Sequence, residues 1–493
     1  QSAISDRDSA QTERTAMDRV EAILNGLGES NLGTTITDLF KAFSDIQNSP
    51  DDNATRATVI QRGVTLTEAI QTVHADLIRV REDLNTDIVE MTKRINVIAA
   101  QVADLNVQIT AADAGAGGGS GPLRDQRNAL LQELSSFVNI TTREQPQGAI
   151  NVFIGNESLV MYGVSRDLKT DPVAIGGGLT DVVVRFADDN KIADIKSGRI
   201  AGAIEARDKG VSVQFTRLNQ LASAIIQEVN KRHASGQGLQ GFTGLTGTYD
   251  VNDFTVPLNN TATGLDFVPK SGSFYIDVKN EATGQSVRYQ INIDLDGLNS
   301  DDTTLNSLVS QINSVIPGTV TASVTTDGRL QLTATTGSSF TFADDRSNVL
   351  AALGLNTFFD GSDASDISVN ALVANSPSMI AAASNNLPGD GSNAGTLAGA
   401  VDAPVMLLSG VSITDFHQTS TSQSAVDANA AGNALNAAGV IFDGLTAQRE
   451  SVSGVNLDEE AVRLITYQRS FQAAAQYLVA VDEMLQTLLS LVR

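Results

Sequence analysis

A run of apolar residues at helical spacing restricts this chain more than any other feature. They fall at Leu66, Ile70, Val73, Leu77, Val80 and Leu84, then at Ile88, Met91, Ile95, Ile98, Val102, Leu105 and Ile109. The steps are threes and fours, with two successive fours around Leu84 and Ile88, and a continuous helix puts such a set on one face. The stripe covers about 44 residues, or ~66 Å at 1.5 Å per residue, which predicts a rod or bundle rather than a compact globule. The doubled four resembles a stutter, expected to unwind a supercoil locally. Taken alone, the stripe reads as the core of an intramolecular bundle.

A second stripe closes the chain. Leu464, Tyr467, Phe471, Ala474, Leu478, Val481, Leu485, Leu488 and Val492 step three and four throughout. Asn456 with Glu459 forms an N-cap and capping-box pair, and Asp458, Glu459 and Glu460 suit the positive end of the helix dipole. Covering these side chains contributes on the order of 10–20 kcal/mol before chain entropy is counted. No matching helix is evident at the start of the chain, and the amino end, Gln1-Ser2-Ala3-Ile4, reads as though it begins in mid-element. The terminal stripe is therefore expected to pack between molecules or against a helix upstream of residue 1.

Between the stripes the period changes several times. Residues 1–139 read as the N-terminal part of a helical core, with a further stripe at Ile36, Leu39, Phe40, Phe43 and Ile46. The glycine-rich run Gly115 to Gly121 ends the rod, and Pro122 suits the first turn of the next helix. Alternation at Ile150, Val152 and Ile154 and at Val182 to Phe186 marks 140–195 as a small β-rich region, and helical period returns over 196–238. Residues 240–372 turn to Thr, Ser, Gly and short alternating runs broken by one helix, Thr304 to Ile316, and read as an inserted β-rich α+β domain. A return segment of the helical core occupies 375–451, and 452–493 forms a C-terminal coiled-coil assembly helix. The expected fold class is thus α+β and multidomain, a long-helix core with a small β region and an inserted β-rich domain.

Composition removes several function classes. Lys and Arg total 33 against 57 Asp and Glu, a net charge of −24, which argues against binding nucleic acid or an anionic membrane surface. No uninterrupted apolar run approaches the roughly 18 residues of a membrane span. Cys is absent, which removes disulfides, thiolate metal sites and cysteine nucleophiles. The three histidines, His74, His233 and His417, sit in different segments and read as structural, His233 as a cation favoured at a helix C-terminus. Asn292-x-Asp294-x-Asp296-Gly297 opens like an EF-hand loop, but its twelfth position is Thr303, which supplies no bidentate carboxylate. The glycine run lacks the Lys-Ser/Thr of a phosphate loop. The acidic pairs Asp51-Asp52, Asp188-Asp189, Asp301-Asp302 and Asp344-Asp345 read as solvated turns. No catalytic, cofactor or metal residues are assigned, and the chain is not expected to be an enzyme.

Three segments carry a resemblance. Ser453-Gly454-Val455-Asn456-Leu457-Asp458-Glu459-Glu460, followed by Tyr467-Gln468-Arg469 and Phe471-Gln472-Ala473-Ala474-Ala475-Gln476, resembles the carboxyl end of flagellar axial proteins. Pro122 to Leu130, with Asp125-Gln126-Arg127, and Ser197-Gly198-Arg199-Ile200-Ala201-Gly202-Ala203-Ile204 resemble segments of the hook-associated protein 1 family in particular. The terminal motif is shared with other rod and hook proteins, while the three in this order are more specific. The resemblance implies a structural adaptor joining hook to filament, exported by the flagellar type III route to an extracellular position and assembling into a ring. It implies as partners further copies of itself, the hook protein, the second hook–filament junction protein and an export chaperone. It also implies that the two chain ends pair as a coiled coil, although the family's N-terminal helix is not in this sequence. Another axial protein, such as the second junction protein or a flagellin, is the alternative. An axial scaffold carrying an enzymatic insert is disfavoured by the lack of His, Cys and metal-ligand spacing in 240–370.

Overall fold

The computed structural model describes residues 1–26, 31–114, 120–385, 387, 389–453 and 457–491, the side chains of 452, 453, 457–459 and 491 excepted. Most of the glycine run, together with Asn456, Val492 and the side chain of Glu459, lies outside the described residues.

Four helices open the chain: α1 (Ser2–Asn25), α2 (Leu32–Asn48), α3 (Asn53–Ala114) and α4 (Gly121–Phe137). At 62 residues α3 is about 93 Å long. Of the stripe along it, Val73 is half-buried and every other member is buried, against α1, α2, α4 and α6 and the β-rich region. The stripe is an intramolecular core. Asn31 caps α2 by accepting the amide of Thr34 at 2.8 Å.

Next come β1 (Thr141–Glu144), β2 (Ile150–Ile154), β3 (Glu157–Met161) and β4 (Val164–Ser165), an antiparallel sheet in chain order. β5 (Leu168–Gly176) and β6 (Leu179–Phe186) form a separate hairpin. The rod holds these strands by more than apolar contact. Asn85, Asn96 and Asn106 recur about three turns apart on α3, and each pairs its carboxamide with strand backbone. Asn96 donates to Leu168 O and accepts from Leu168 N, both at 2.8 Å. Asn106 donates to Ile150 O at 2.8 Å and Tyr162 O at 2.7 Å and accepts from Ile150 N at 3.0 Å. Asn85 donates to Thr180 O at 2.9 Å and accepts from Val182 N at 3.3 Å. Arg127 completes the arrangement, donating to Asn106 Oδ1 at 3.0 Å and Gly148 O at 2.7 Å.

The chain then runs through α5 (Arg199–Glu205), a π turn (Ala206–Val211) and α6 (Ser212–Ala234). Gly198 and Gly202 explain why this segment has its sequence. Gly198 has φ +90°, and a Cβ there would stand 2.5 Å from the Phe137 backbone. At Gly202 a Cβ would come within 2.2 Å of the Ser9 carbonyl oxygen, because α5 crosses α1 at backbone contact. The Gly198 amide donates to Ser5 O at 2.8 Å across the same crossing.

The β-rich stretch has two small sheets, β10 (Val320–Val324), β11 (Leu330–Ala334) and β7 (Gly244–Thr246), and β12 (Ser338–Ala343), β8 (Gly272–Asn280) and β9 (Ser286–Ile293). Phe342 stands opposite Ile276, and Ile276 opposite Tyr289. The helix α7 (Leu305–Val315) is capped by a reciprocal Thr304–Ser307 box and buries Leu305, Leu308 and Ile312. This stretch has its own core, running from Ala234 to Leu355. Phe358, Phe359, Ala364, Ile367 and Val373 pack instead with the helices. After α8 (Val349–Ala352), β13 (Phe359–Asp360) pairs with β14 (Ser368–Val369). Then follow α9 (Ala371–Asn375), α10 (Ser392–Ala398), α11 (Ile413–Ser453) and α12 (Leu457–Leu491).

Some sequence expectations needed correction. The first helix, unmarked by a strong stripe, buries mainly small residues (Ser5, Ala10 and Ala16, with Met17 and Val20), with Ser5 Oγ 2.8 Å from Ser197 Oγ just before α5, while another side of it packs on α11. The two run antiparallel: Arg7 lies 4.0 Å over the Phe442 ring while Arg14 donates to Ala428 O. Asp345 is not a solvated turn residue. It is buried, accepts the Ser347 and Leu350 amides at 2.9 Å, and its burial pushes the carboxyl pKa up. His233 is not a cation. It is fully buried, and that burial lowers its pKa to about 4.

The close crossing gives a test. Gly202→Ala is expected to destabilise the protein by about 1–3 kcal/mol, since backbone and not a flexible side chain must move. Gly399→Ala, where a Cβ meets nothing within 4 Å, is expected to change stability by less than about 0.5 kcal/mol. Urea denaturation of the two variants measures the difference.

Candidate assembly surface

The terminal helix differs from every helix before it in what its apolar face touches. Leu464, Tyr467, Phe471, Ala474, Leu478, Leu485 and Leu488 are exposed, Tyr467 to 75% and Phe471 to 77%, and Val481 is half-buried. These residues stand in one line along α12 as their spacing requires. The line is widened by Tyr477 (70%) and Met484 (59%), each one residue before a stripe position. Leu489, four residues after Leu485, extends the same face, while Val462, Ile465 and Val479 are exposed on another side of the helix. The sequence reading missed this second set because three scattered residues make no sustained periodic line of their own.

Large apolar side chains this open are individually ordinary, but a continuous file of them is a candidate interaction surface. The helix has local support, including the Arg463–Glu460 pair at 3.1 Å, which is solvent-exposed and weak. Exposure begins on α11, where Val440, Ile441 and Leu445 are open although Ala428 and Ala431 are buried against α1. The Asn456–Glu459 cap lies outside the described residues and side chains.

The groups that carry chemistry elsewhere are scattered. His74 stacks on Phe215 with ring centroids 4.8 Å apart. His417 lies against Gly33, where a Cβ would stand 3.0 Å from its Nε2. His233 is locked between backbone groups. Among the described residues, the Asp294, Asp296 and Asp302 carboxylates can bring oxygens within 4.8 Å of one another. These carboxylates build the loop's own turns: Asp294 accepts the Asp296 amide at 3.3 Å, Asp296 the Leu298 amide at 2.8 Å and Asp302 the Gly297 amide at 3.0 Å. Asp188 and Asp189 pair with Arg166 at 2.7 and 3.0 Å. No helix among the described residues is long and apolar enough to cross a membrane.

Known proteins match this arrangement along most of its length. Residues 17–246 match a family model described as the flagellar hook-associated protein FlgK helical domain, and residues 447–491 one described as the flagellar basal body rod FlgEFG protein C-terminal. The chain is 24% identical over 510 residues to flagellar hook-associated protein 1 of Escherichia coli (strain K12), covering 96% of this chain and 83% of that one. It is 25% identical over 481 residues to the Salmonella typhimurium protein of the same name, covering 94% of this chain and 81% of that one. The fold is similar to that of the flagellar hook junction protein FlgK from Burkholderia pseudomallei, with TM-score 0.60 at 15% identity, covering 92% of this chain and 99% of that one.

Because Phe471 and Leu478 are exposed, Phe471→Asp and Leu478→Asp are expected to leave the melting temperature of the isolated chain within about 1 °C of the parent. Differential scanning calorimetry at low protein concentration checks this. A large drop would mean that the stripe is covered within one molecule.

Proposed function

The chain belongs to the family of flagellar hook-associated protein 1, FlgK, and on that premise we propose that α12 is the surface by which it is built into the flagellum. It is a structural protein of the hook–filament junction. In this reading copies associate side by side through terminal helices into a ring, with the hook protein on one side and the second junction protein on the other. An export chaperone covers the apolar helix before that, and the flagellar type III route delivers the chain to its place outside the cell.

The observation that carries the reading is the open apolar file from Leu464 to Leu488 beside a body whose other long stripe is buried. Removing that file from water drives association with little demand on directional contacts, which suits packing of identical helices. Apolar positions on further sides of α12 favour contact with more than one neighbour, as a ring requires. We assign the division of labour along the chain accordingly. The helical core of 1–139, 196–238 and 375–451 is a stiff body, with 140–195 fastened along its rod. The β-rich unit of 240–372 is an outward module, and 452–493 is the assembly arm. The separate core from Ala234 to Leu355 supports treating most of that module as a unit.

Deleting the gene in the source bacterium is expected to leave hooks without filaments in electron micrographs, with flagellin lost to the medium; normal filaments would remove the junction role. Complementation with Phe471→Asp or Leu478→Asp is expected to restore neither filaments nor incorporation, although the variant accumulates in folded form. Normal incorporation of either would show that the file is not the assembly surface.

A further inference from the structure

His233 sits where three parts of the fold meet, and both of its ring nitrogens are committed. Nδ1 donates to the carbonyl oxygen of Asn356 at 2.8 Å, at the root of the β-rich unit. Nε2 accepts the amide of Ala381 at 3.0 Å, on the strand of chain returning to the helices. The ring is fully buried, with Phe358 packed on it at 5.6 Å between centroids. Asn356 in turn donates to the carbonyls of His233 at 3.2 Å and Gly236 at 3.0 Å, which closes the end of α6. An imidazole that both donates and accepts is necessarily neutral.

We propose that His233 is an acid-sensitive latch between the helical body and the root of the β-rich unit: a proton taken up at Nε2 fills the lone pair that holds Ala381 N–H, leaves two donors facing each other, and loosens residues 356–359 from 380–383. The proton comes from solvent and no other bond is made or broken. This device is independent of the assembly role of α12.

The surroundings offer the charged ring no relief. On α6 itself Glu228 is engaged by Lys231 at 2.9 Å and Arg232 at 2.6 Å. The packed segments 356–359 and 377–383, and α10, contain no ionisable residue. From α3 the facing group is a cation, Arg56, whose guanidinium donates to Pro50 O at 2.7 Å and Ile380 O at 2.7 Å, next to the latch. Burial, with the like charge of Arg56 adding to it, lowers the His233 pKa to about 4 although the Asn356 hydrogen bond works the other way. The folded value is below that of the unfolded or opened state, about 6.5. The contribution to stability is therefore complete above about pH 6.5 and is lost as pH falls toward 4.

Hydrogen exchange of the full chain tests this at pH 7 and pH 5, with rates corrected for the intrinsic effect of pH. The amides of Ala381 and Phe359 are expected to open about twentyfold more often at pH 5, while amides of the β8–β9 pairing and of mid-α3 hold their protection. His233→Gln, which can still donate and accept but does not titrate, is expected to abolish the difference. Should that variant fail to fold, the imidazole of the unaltered chain is titrated by NMR, with a midpoint far below 6.5 expected and protection at Ala381 expected to fall from about pH 6.5 and to level off below that midpoint. Equal loss of protection at all sites, unchanged protection at Ala381, or a midpoint near 6.5 would each overturn the latch.

Discussion

Burial of one apolar stripe on α3 is the interaction from which the rest of the body takes its position. A helix this long has no stability of its own in water beyond weak propensity, and packing must supply it. The stripe solves this on one face, and the remaining elements are arranged by which stretch of it they cover. The asparagines at 85, 96 and 106 add direction that apolar contact lacks. A strand can slide over leucines at little cost, but it cannot slide past a carboxamide already paired with its backbone. The strands thus inherit their register from the helix, though strands and helix share no backbone ladder.

Charge is handled in the same economical way. Asp181 is buried, and Arg81 meets it with two hydrogen bonds of 2.9 and 2.7 Å, with Arg207 3.5 Å away. Arg207 donates at the same time to Asn85 Oδ1 and Val182 O. Ions taken out of water are tolerated when each lone pair and each N–H finds a partner, and here the partners come from the rod, the hairpin and the π turn. The arrangement ties three elements at a point where an apolar contact would fix none of their angles. A chain with a net charge of −24 keeps most of its remaining carboxylates at the surface, where they favour solubility and contribute little to the fold.

The rod, the terminal stripe and the β8–β9 alternation were legible in the sequence because each is periodic and long. Thr304 to Ile316 was read as a helix, and α7 spans Leu305–Val315. What escaped was whatever depends on contact between distant segments. The first helix buries Ser5, Ala10 and Ala16, residues too small to trace a stripe, and α5 crosses it at backbone contact. The strand β12, Ser338 to Ala343, is buried nearly throughout although Ser339 and Thr341 are polar, which its short run of residues does not announce. Phe358 and Phe359 sit in a stretch that reads as part of the β-rich unit, yet their rings pack with the helices, since sequence order does not say which core a buried residue joins. For the candidate surface, the line along α12 was evident from its spacing and its want of a partner within the chain from the lack of a matching stripe; the flanking Tyr477 and Met484, off the line by one residue, were not read.

The π turn between α5 and α6 has a consequence for how this chain can vary. A π turn holds one residue more than an α turn, which advances everything after it by about 100° around the axis. Before the turn, Gly202 meets α1; after it, Leu218, Leu221, Ile225 and Val229 are buried in the core of the helical body. Both faces are apolar, and neither sequence would need to change for the two to fall out of phase. The seam is thus set by a residue count over Ala206–Val211. Length variation that surface loops absorb freely would here rotate one half of the molecule against the other, so this segment tolerates a change of residue more readily than a change of length.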